Sequence, residues 1–295
     1  MKMRRGMSPE TFNILVSTLF LVVAVAVAFG IYTLSGVVEA RRQEKERQAI
    51  SAEAIPGREV TYRLEEPVRG PFYFPTQENP WTQAQVDRAG EGVVPLWDMS
   101  LEANHRYVLG KANIHLAPEA ILALRELCRG LAARGERVQI LIEEGYLSYE
   151  AAGDKAGMTP LHGGYALQVC LTLSGERVSL SSGRSRAEYA ATALWLEKEM
   201  AGYGFVTLGE TGLWLYVGAP HACAMEEKRL TPTQYISLMY GYSQSSPMVV
   251  ERGEKRWRVF YLPAHHGGAE LTLTVGVIYG VTGNGREGFL VAVVG

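Results

Sequence analysis

The stretch GYLSYEAAGDKAGMTPLHGGYALQV, residues 145–169, contains the kinds of side chain that could hold a metal ion. His162 follows two carboxylates, Glu150 and Asp154, and a further carboxylate, Glu210, lies before the segment GLWLYVG. Imidazole and carboxylate groups bind zinc and act as general bases towards a zinc-bound water. The stretch therefore has the character of an active site, although most of the side chains such a site needs are missing from it.

The segments around this stretch predict an α+β domain. Helices are predicted at 117–135, 186–204 and 231–242, from apolar residues at helical spacing and from Pro or Thr-Pro start signals. Strands are predicted at 138–146, 165–173, 177–182 and 212–218, from runs of apolar and β-branched residues. These elements position the residues that could do chemistry.

The C-terminal residues 246–295 predict a small all-β domain. The segments 256–262, 270–280 and 288–294 are rich in β-branched and aromatic residues, and a GNG turn signal precedes the last. His265 and His266 fall in its first turn. Adjacent side chains of an extended chain point in different directions, so we expect no metal site there.

The N-terminal region predicts a membrane anchor. Residues 11–38 carry no charge and are long enough to cross a bilayer as one helix, after a short tail of residues 1–10. A cleaved signal peptide is the competing interpretation, but its apolar region would be shorter. Residues 39–104 then read as a polar helical stretch and a Pro-rich linker or wrapping arm with few regular elements.

The composition excludes several classes of protein. The formal charge of −2 and the absence of basic clusters in folded segments argue against nucleic-acid binding, and 47% apolar residues suffice for a core. Three cysteines, Cys128, Cys170 and Cys223, do not form a disulfide framework or a zinc spacing. Cys128 and Cys170 are expected to be buried free thiols.

Several motifs resemble those of the VanY-type D-alanyl-D-alanine carboxypeptidases, which are zinc peptidases that trim peptidoglycan stem peptides outside the cytoplasmic membrane. The matching segments are GYLSYE (145–150), an HxGxA pattern from residue 162, WLEKEMAGYGFV (195–206) and YVGAPHACAM (216–225). The resemblance covers residues 105–243 and implies a small antiparallel sheet flanked by helices. Membrane-anchored members are common, which favours a domain outside the membrane.

The resemblance also implies a site of two zinc-binding histidines, one aspartate, a glutamate base and an arginine for the substrate carboxylate. Glu210 aligns with the glutamate base. The family's other site positions, together with those of a motif serine and a second arginine, are occupied here by different residues: Leu147 (carboxylate-binding arginine), Thr159 (serine), Leu161 (first histidine), Gln168 (aspartate), Leu213 (second histidine) and Leu215 (second arginine). His162 aligns one residue after the ligand. Leucine has no lone pair and glutamine is a weak ligand, so we expect no bound metal or cofactor.

The motif residues that are retained have structural interpretations. They are expected to shape turns, permit close packing and form a strand end, and they are Tyr146, Ser148, Tyr149, Gly164, Ala166, Tyr216 and Gly218. His221 is interpreted as a hydrogen-bonded structural residue. A zinc site rebuilt from His162, Asp154, Glu150 and Glu210 is the alternative.

The sequence therefore favours a catalytically inactive, membrane-anchored homologue of these peptidases that serves as an envelope scaffold or regulator. Its partners would be the membrane and another envelope protein. A second hypothesis is a protein that binds peptidoglycan stem peptides without cutting them. A third is an active carboxypeptidase with a rearranged zinc site.

Overall fold

The structure, a computed structural model, describes residues 59–65, 70–96, 107–135, 137–209, 212–266, 268–274 and 279–294. The tail 1–10, the predicted anchor 11–38 and the predicted polar helix that follows it lie outside these ranges. Within the described residues, no helix combines the length and the apolar composition needed to cross a bilayer.

A six-stranded sheet forms the centre of the fold. Its main path runs β3-β5-β6-β9-β8, and β7 pairs with β6. The strands are β3 (Tyr107–Leu109), β5 (Gln139–Glu144), β6 (Ala166–Leu173), β7 (Glu176–Val178), β8 (Phe205–Thr207) and β9 (Leu213–Tyr216). The sheet is antiparallel as predicted, except that β3 and β5 are parallel. A parallel pair needs a crossover, and a helix between these two strands supplies it.

Six α-helices accompany the strands. They are α1 (Gln83–Gly90), α2 (Pro118–Ala133), α3 (Leu180–Gly183), α4 (Ala187–Glu199), α5 (Ala219–Lys228) and α6 (Pro232–Met239) among the described residues. The predicted helix at 117–135 is confirmed as α2. Proline fits its first turn, and residues at helical spacing, such as Ile121, Leu124 and Leu131, are buried.

Two hydrophobic clusters hold the central sheet. The first contains α2 and α4 residues, with Leu124, Tyr189 and Trp214 fully or almost fully buried. The second contains Leu161 and Tyr235 and includes residues of the C-terminal strands. All three cysteines are buried free thiols, which confirms the expectation for Cys128 and Cys170.

The segment expected to have few regular elements contains several. It forms β1 (Glu59–Glu65), the helix α1 and β2 (Val94–Pro95), which pairs with β4 (His115–Leu116). A capping box between Thr82 and Gln85 starts α1, whose only fully buried residue is Val86. Capping rather than apolar periodicity therefore marks this helix.

The predicted strand 177–182 is shorter than expected. The strand β7 ends at Val178, and the side chain of Ser179 accepts a hydrogen bond from the Ser182 N–H at 3.1 Å. This N-cap begins the short helix α3. Serine competes for backbone groups, so the run of serines there favours a cap over a strand.

The C-terminal residues form a four-stranded antiparallel sheet in the order β10-β11-β14-β13. The strands are β10 (Met248–Arg252), β11 (Lys255–Pro263), β13 (Tyr279–Gly283) and β14 (Gly288–Val294). The predicted strand 270–280 is divided between β13 and β12 (Gly268–Thr274), and β12 pairs with β1. The Thr61 and Thr272 hydroxyls bond at 2.9 Å across that pair.

The C-terminal sheet packs directly against the α+β domain. Its residues Trp257, Val259 and Leu290 belong to the same buried cluster as Leu161 and Tyr235 of the α+β domain. Both parts belong to one compact unit. The sequence predicts which residues of these strands are buried, but it does not predict the surface against which the sheet packs.

Candidate functional site

The loop after β5 holds the GYLSYE motif in a fixed shape. The Tyr146 hydroxyl donates to the Val86 carbonyl at 3.1 Å, and the Tyr146 N–H donates to the His115 carbonyl at 2.8 Å. Burial raises the pKa of Tyr146. The Ser148 hydroxyl oxygen accepts from the Ala151 N–H at 3.2 Å. These bonds join the motif to α1, to β4 and to the turn that follows it.

His162 is fully buried, and both ring nitrogens contact backbone. Its Nε2 accepts from the Gly157 N–H at 2.9 Å, so the ring proton lies on Nδ1, which donates to the Leu147 carbonyl at 2.6 Å. The ring also stacks on Tyr149, with centroids 6.2 Å apart. Burial lowers the pKa of His162. The ring is neutral, and neither nitrogen is available to a metal.

The turn before β6 is fixed by two motif residues. The Thr159 hydroxyl caps a short 3-10 helix by accepting from the Leu161 N–H at 3.4 Å. Gly164 has φ of 76°, and an added Cβ would lie 2.4 Å from Val93 Cγ1. Its carbonyl accepts from the Ala117 N–H at 2.8 Å. Glycine is therefore required both for backbone conformation and for close packing.

Two of the positions aligned with the family's ligands lie on adjacent strands, and the third, Leu161, lies in the 3-10 helix before β6. Gln168 of β6 lies opposite Leu213 of β9, and Ala166 lies opposite Leu215. Leu161 and Leu215 are 8% and 1% exposed and belong to one buried cluster. Leu147 and Leu213 pack against that cluster. We call Leu147, Leu161, Leu213 and Leu215 the leucine cluster.

This arrangement does not fit a zinc ion. Leucine offers no donor atom, and a lone glutamine amide does not make a zinc site. Within the described ranges, no group of three or more His, Cys, Asp or Glu residues could hold a metal. Glu210 lies outside those ranges. His265 and His266 are exposed in the β11–β12 turn and do not join such a group.

His221 lies on α5 within an aromatic cluster. Its Nδ1 is 2.8 Å from the Tyr235 hydroxyl, and its ring meets Phe72 and Tyr235 edge-on at 5.5 and 5.8 Å. Phe72 and Tyr235 stack with their centroids 5.7 Å apart. Complete burial lowers the pKa of His221 to about 4. His221 is therefore a buried, neutral residue with a hydrogen-bond partner on α6, and its structural role remains a prediction.

The contribution of the Pro-rich segment was not anticipated from sequence. Phe72 is buried in the same cluster as Leu161, and Phe74 packs against it. Tyr73 contacts Trp81 with ring centroids 4.6 Å apart. The sequence did contain one indication that this segment is buried, because four aromatic residues occur within ten positions of it. Solvated linkers are poor in aromatic residues.

The remaining motif residues end β9. Tyr216 packs edge-on against Phe205, with centroids 5.5 Å apart, and its N–H donates to the Tyr165 carbonyl at 3.0 Å. Gly218 has φ of 87° and forms the N-cap of α5. The strand end and turn expected from YVGAPHA are therefore present.

Comparison with known proteins identifies the fold. No family model matches the chain, and no curated protein matches it in sequence. Among solved structures, the vancomycin-resistance D,D-dipeptidase VanXYg, in complex with a D-Ala-D-Ala phosphinate analogue, is similar with a TM-score of 0.62 at 17% identity, over 81% of this chain and 100% of that one. This likeness confirms the fold that the motifs predicted.

Two further structures are similar over smaller parts of the chain. VanYB in complex with D-alanine-D-alanine matches with a TM-score of 0.37 at 13% identity, over 56% of this chain and 97% of that chain. The LD-carboxypeptidase LdcB matches with a TM-score of 0.32 at 19% identity, over 42% of this chain and 69% of that one.

Proposed function

We propose that this chain, which has the fold of a D,D-dipeptidase, does not hydrolyse peptides and acts as a scaffold or regulator in the bacterial cell envelope. The leucine cluster carries the proposal. The three positions that the resemblance assigns to zinc ligands hold Leu161, Gln168 and Leu213. Gln168 and Leu213 are cross-strand partners, and Leu161 belongs to the buried cluster against which Leu213 packs.

The missing donors remove the chemistry that hydrolysis needs. In a zinc peptidase, the metal supplies a water of lowered pKa and polarises the scissile carbonyl. The residues of this chain do not fit that metal. The position of the carboxylate-binding arginine holds Leu147, which packs against the apolar cluster. A substrate carboxylate would therefore meet hydrocarbon in place of a guanidinium group.

The nearest histidine does not replace the missing ligands. His162 uses both ring nitrogens for backbone hydrogen bonds, at 2.9 and 2.6 Å. Recruiting it to a metal would leave the Gly157 N–H or the Leu147 carbonyl buried without a partner, which costs about 1–3 kcal/mol. This argues against the rearranged zinc site.

The positive role follows from what the chain keeps. The sequence predicts a single membrane span at 11–38 with the remaining domain outside the cytoplasmic membrane. An apolar-filled site keeps the fold stable without a metal. Such a protein acts through its surface, and we propose another envelope protein as its partner. A non-cleaving stem-peptide binder is the second candidate, which the loss of the arginine at position 147 weakens.

Metal content and peptide hydrolysis test the loss of catalysis. Full-length protein in detergent is incubated with zinc, desalted and analysed for metal, and it is then assayed for D-alanine release from a pentapeptide ending in D-Ala-D-Ala. An active D,D-carboxypeptidase treated identically is the control. We expect far less than one zinc per chain and no release. One tightly held zinc with D-alanine release would overturn the proposal.

Binding assays separate the two non-catalytic roles. Purified peptidoglycan is mixed with the protein, with and without soluble stem peptide as competitor. A scaffold stays in the supernatant and, after crosslinking in its native membrane, is recovered with another envelope protein. If the protein instead sediments with peptidoglycan, and soluble stem peptide abolishes this sedimentation, the scaffold role is contradicted and the stem-peptide binder is supported.

A further inference from the structure

A cavity of about 270 Å³ lies between the Pro-rich segment 70–81, the helix α1 and the turn before β6. Three aromatic side chains, Tyr73, Trp81 and Tyr165, contribute to its lining. Among the described residues, none of the positions aligned with the family's site residues lines it. Small-molecule sites are concave and largely apolar or aromatic, with a few polar groups that orient the ligand. This cavity has that character, and its volume suits one small ring with its substituents.

The aromatic wall of the cavity is held by its neighbours. Trp81 is 5% exposed, and its backbone N–H donates to the Gly157 carbonyl at 2.7 Å. Its ring contacts that of Tyr73, with centroids 4.6 Å apart. A Cβ added at Gly163 would lie 4.0 Å from Trp81 Cη2, so the glycine leaves space beside the ring. Flat aromatic surfaces favour a planar ring as the ligand.

The indole N–H of Trp81 is a donor without an acceptor. Its Nε1 is buried and has no hydrogen-bond partner among the described residues. Buried polar groups are almost always paired with protein, with ordered water or with a ligand. Because Trp81 lines the cavity, an acceptor on a molecule held there would supply the partner that the described chain does not.

Tyr73 adds a second donor. The side-chain amide of Gln85, which also lines the cavity, donates to the Tyr73 hydroxyl oxygen at 2.6 Å. The Gln85 oxygen accepts from the Thr82 N–H at 2.8 Å and from the Thr82 hydroxyl at 2.9 Å, which fixes the orientation of the amide. The Tyr73 oxygen is therefore the acceptor in its bond with Gln85. Its own proton has no acceptor within the described residues and is available to a ligand.

Arg88 gives the cavity its charge. It lies in the last turn of α1 and is exposed, and no aspartate or glutamate lines the cavity within the part of the chain that the structure describes. A guanidinium group presents five N–H donors and binds carboxylates in two-point geometry. The lining is therefore rich in donors and positively charged, which favours an anion that carries acceptors only.

We propose that this cavity binds a small aromatic carboxylate, which is an anion with one planar ring and no ammonium group. The ring lies against Tyr73 and Trp81, and the carboxylate accepts from Arg88 and from the donors of the aromatic wall. The inference goes beyond the scaffold role. Its test does not depend on that role, because it measures the binding of a small molecule that has no peptide bond.

A ligand-observed NMR titration of the full-length protein in detergent tests the proposal with benzoate as the probe. Benzamide keeps the ring and removes the charge, whereas cyclohexanecarboxylate keeps the charge and removes the planar ring. We expect benzoate to bind at millimolar concentrations and each analogue to bind about fivefold more weakly, because each loses one kind of contact. Arg88→Gln should weaken benzoate by a similar factor and leave benzamide unchanged.

Arg129→Gln is the matched control, because Arg129 is an exposed arginine of the helix α2 and does not line the cavity. It should leave all three affinities unchanged. Thermal unfolding of each variant shows that it is folded. Benzoate that does not bind at millimolar concentrations, or that binds equally well to wild type and to Arg88→Gln, would contradict the proposal.

The indole N–H resonance of Trp81, assigned with the variant Trp81→Phe, reports on the contact with the ring donor. Benzoate should shift this resonance downfield, because the proton gains an acceptor, and it should move the indole resonances of the other tryptophans less. A Trp81 resonance that stays in place while benzoate binds would show that the ligand lies elsewhere.

Discussion

The role of a buried histidine depends on the two atoms to which its ring nitrogens are hydrogen-bonded. In this protein His162 lies in the segment that resembles a zinc motif, but its nitrogens bond to the Gly157 N–H and the Leu147 carbonyl. These bonds join the loop after β5 to the turn before β6. The residue therefore holds together the two segments that would carry a metal site, and its role is positional.

Replacing His162 should destabilise the protein without changing its metal content. His162→Ala removes both bonds and leaves a buried N–H and a buried carbonyl unpaired, so the free energy of unfolding should fall by about 2–5 kcal/mol. Urea denaturation measures this. His265→Ala, at an exposed histidine, is the control and should change stability by less than about 0.5 kcal/mol. Equal effects of the two variants would refute the positional role.

Buried neutral histidines make the fold sensitive to acid. Burial lowers the pKa of His221 from 6.5 to about 4. Between these values the unfolded state binds a proton that the folded state does not, so the free energy of unfolding falls as the pH decreases from 6.5 to about 4 and is unaffected above 6.5. The loss is on the order of 3 kcal/mol, and His162 contributes in the same direction.

Denaturation at a series of pH values tests this assignment. His221→Phe leaves the Tyr235 hydroxyl without its acceptor and lowers stability at every pH. It should nevertheless flatten the decline between pH 6.5 and 4, because the group that takes up the proton on unfolding is gone. An unchanged slope in this variant would show that other groups cause the acid sensitivity.

The positions aligned with the zinc ligands permit a test in which zinc binding is introduced by substitution. In Leu161→His/Gln168→Asp/Leu213→His, polar groups enter an apolar cluster, so the melting temperature in chelator should fall below that of wild type. Excess zinc should raise it again, because a ligand that binds only the folded state stabilises it. Wild type, and a variant with asparagine at all three positions, should not respond to zinc. No response in the histidine and aspartate variant would mean that the three positions do not converge as ligands do.

At the scale of elements, the Pro-rich segment 70–81 works as part of the core. Phe72 is 4% exposed and contacts both His221 and Tyr235 through ring faces and edges. Phe72→Ala should lower the free energy of unfolding by about 3–5 kcal/mol through lost contacts and a cavity. Gln77→Ala, at an exposed position in the same segment, should have little effect. Similar small effects of both would identify the segment as a loosely attached linker.

Elements with local signals were predictable, and those that depend on tertiary contacts were not. The helix α2 was predicted from Pro118 and from the helical spacing of its apolar residues, and β6 was predicted from its run of apolar residues. The segment around Phe72 has no period of its own, because its conformation is fixed by the rings against which it packs. The positions Leu161, Gln168 and Leu213 were assigned from the motifs, but the pairing of Gln168 with Leu213 depends on the register of β6 and β9, which the sequence does not give.

At the scale of the whole molecule, the C-terminal sheet and the α+β domain share one buried cluster. Leu290 and Val259 of the sheet are fully buried in it. Arg252 of β10 adds polar ties, since its guanidinium group bonds to Glu226 of α5 and to the Lys198 carbonyl at the end of α4. Two parts that share a core unfold together, whereas an appendage would unfold independently.

Hydrogen exchange distinguishes these two outcomes in one variant. Leu290→Ala leaves a cavity in the shared cluster and should cost about 2–5 kcal/mol. If the molecule is one cooperative unit, the slowest-exchanging amides of β6 and β14 should lose protection by the same amount, because both then exchange through global unfolding. Val249→Ala, at a 45% exposed position of the same sheet, should leave both unchanged. Loss of protection in β14 alone would mean that the sheet opens separately, and the sequence-based division at residue 246 would then describe the folding units correctly.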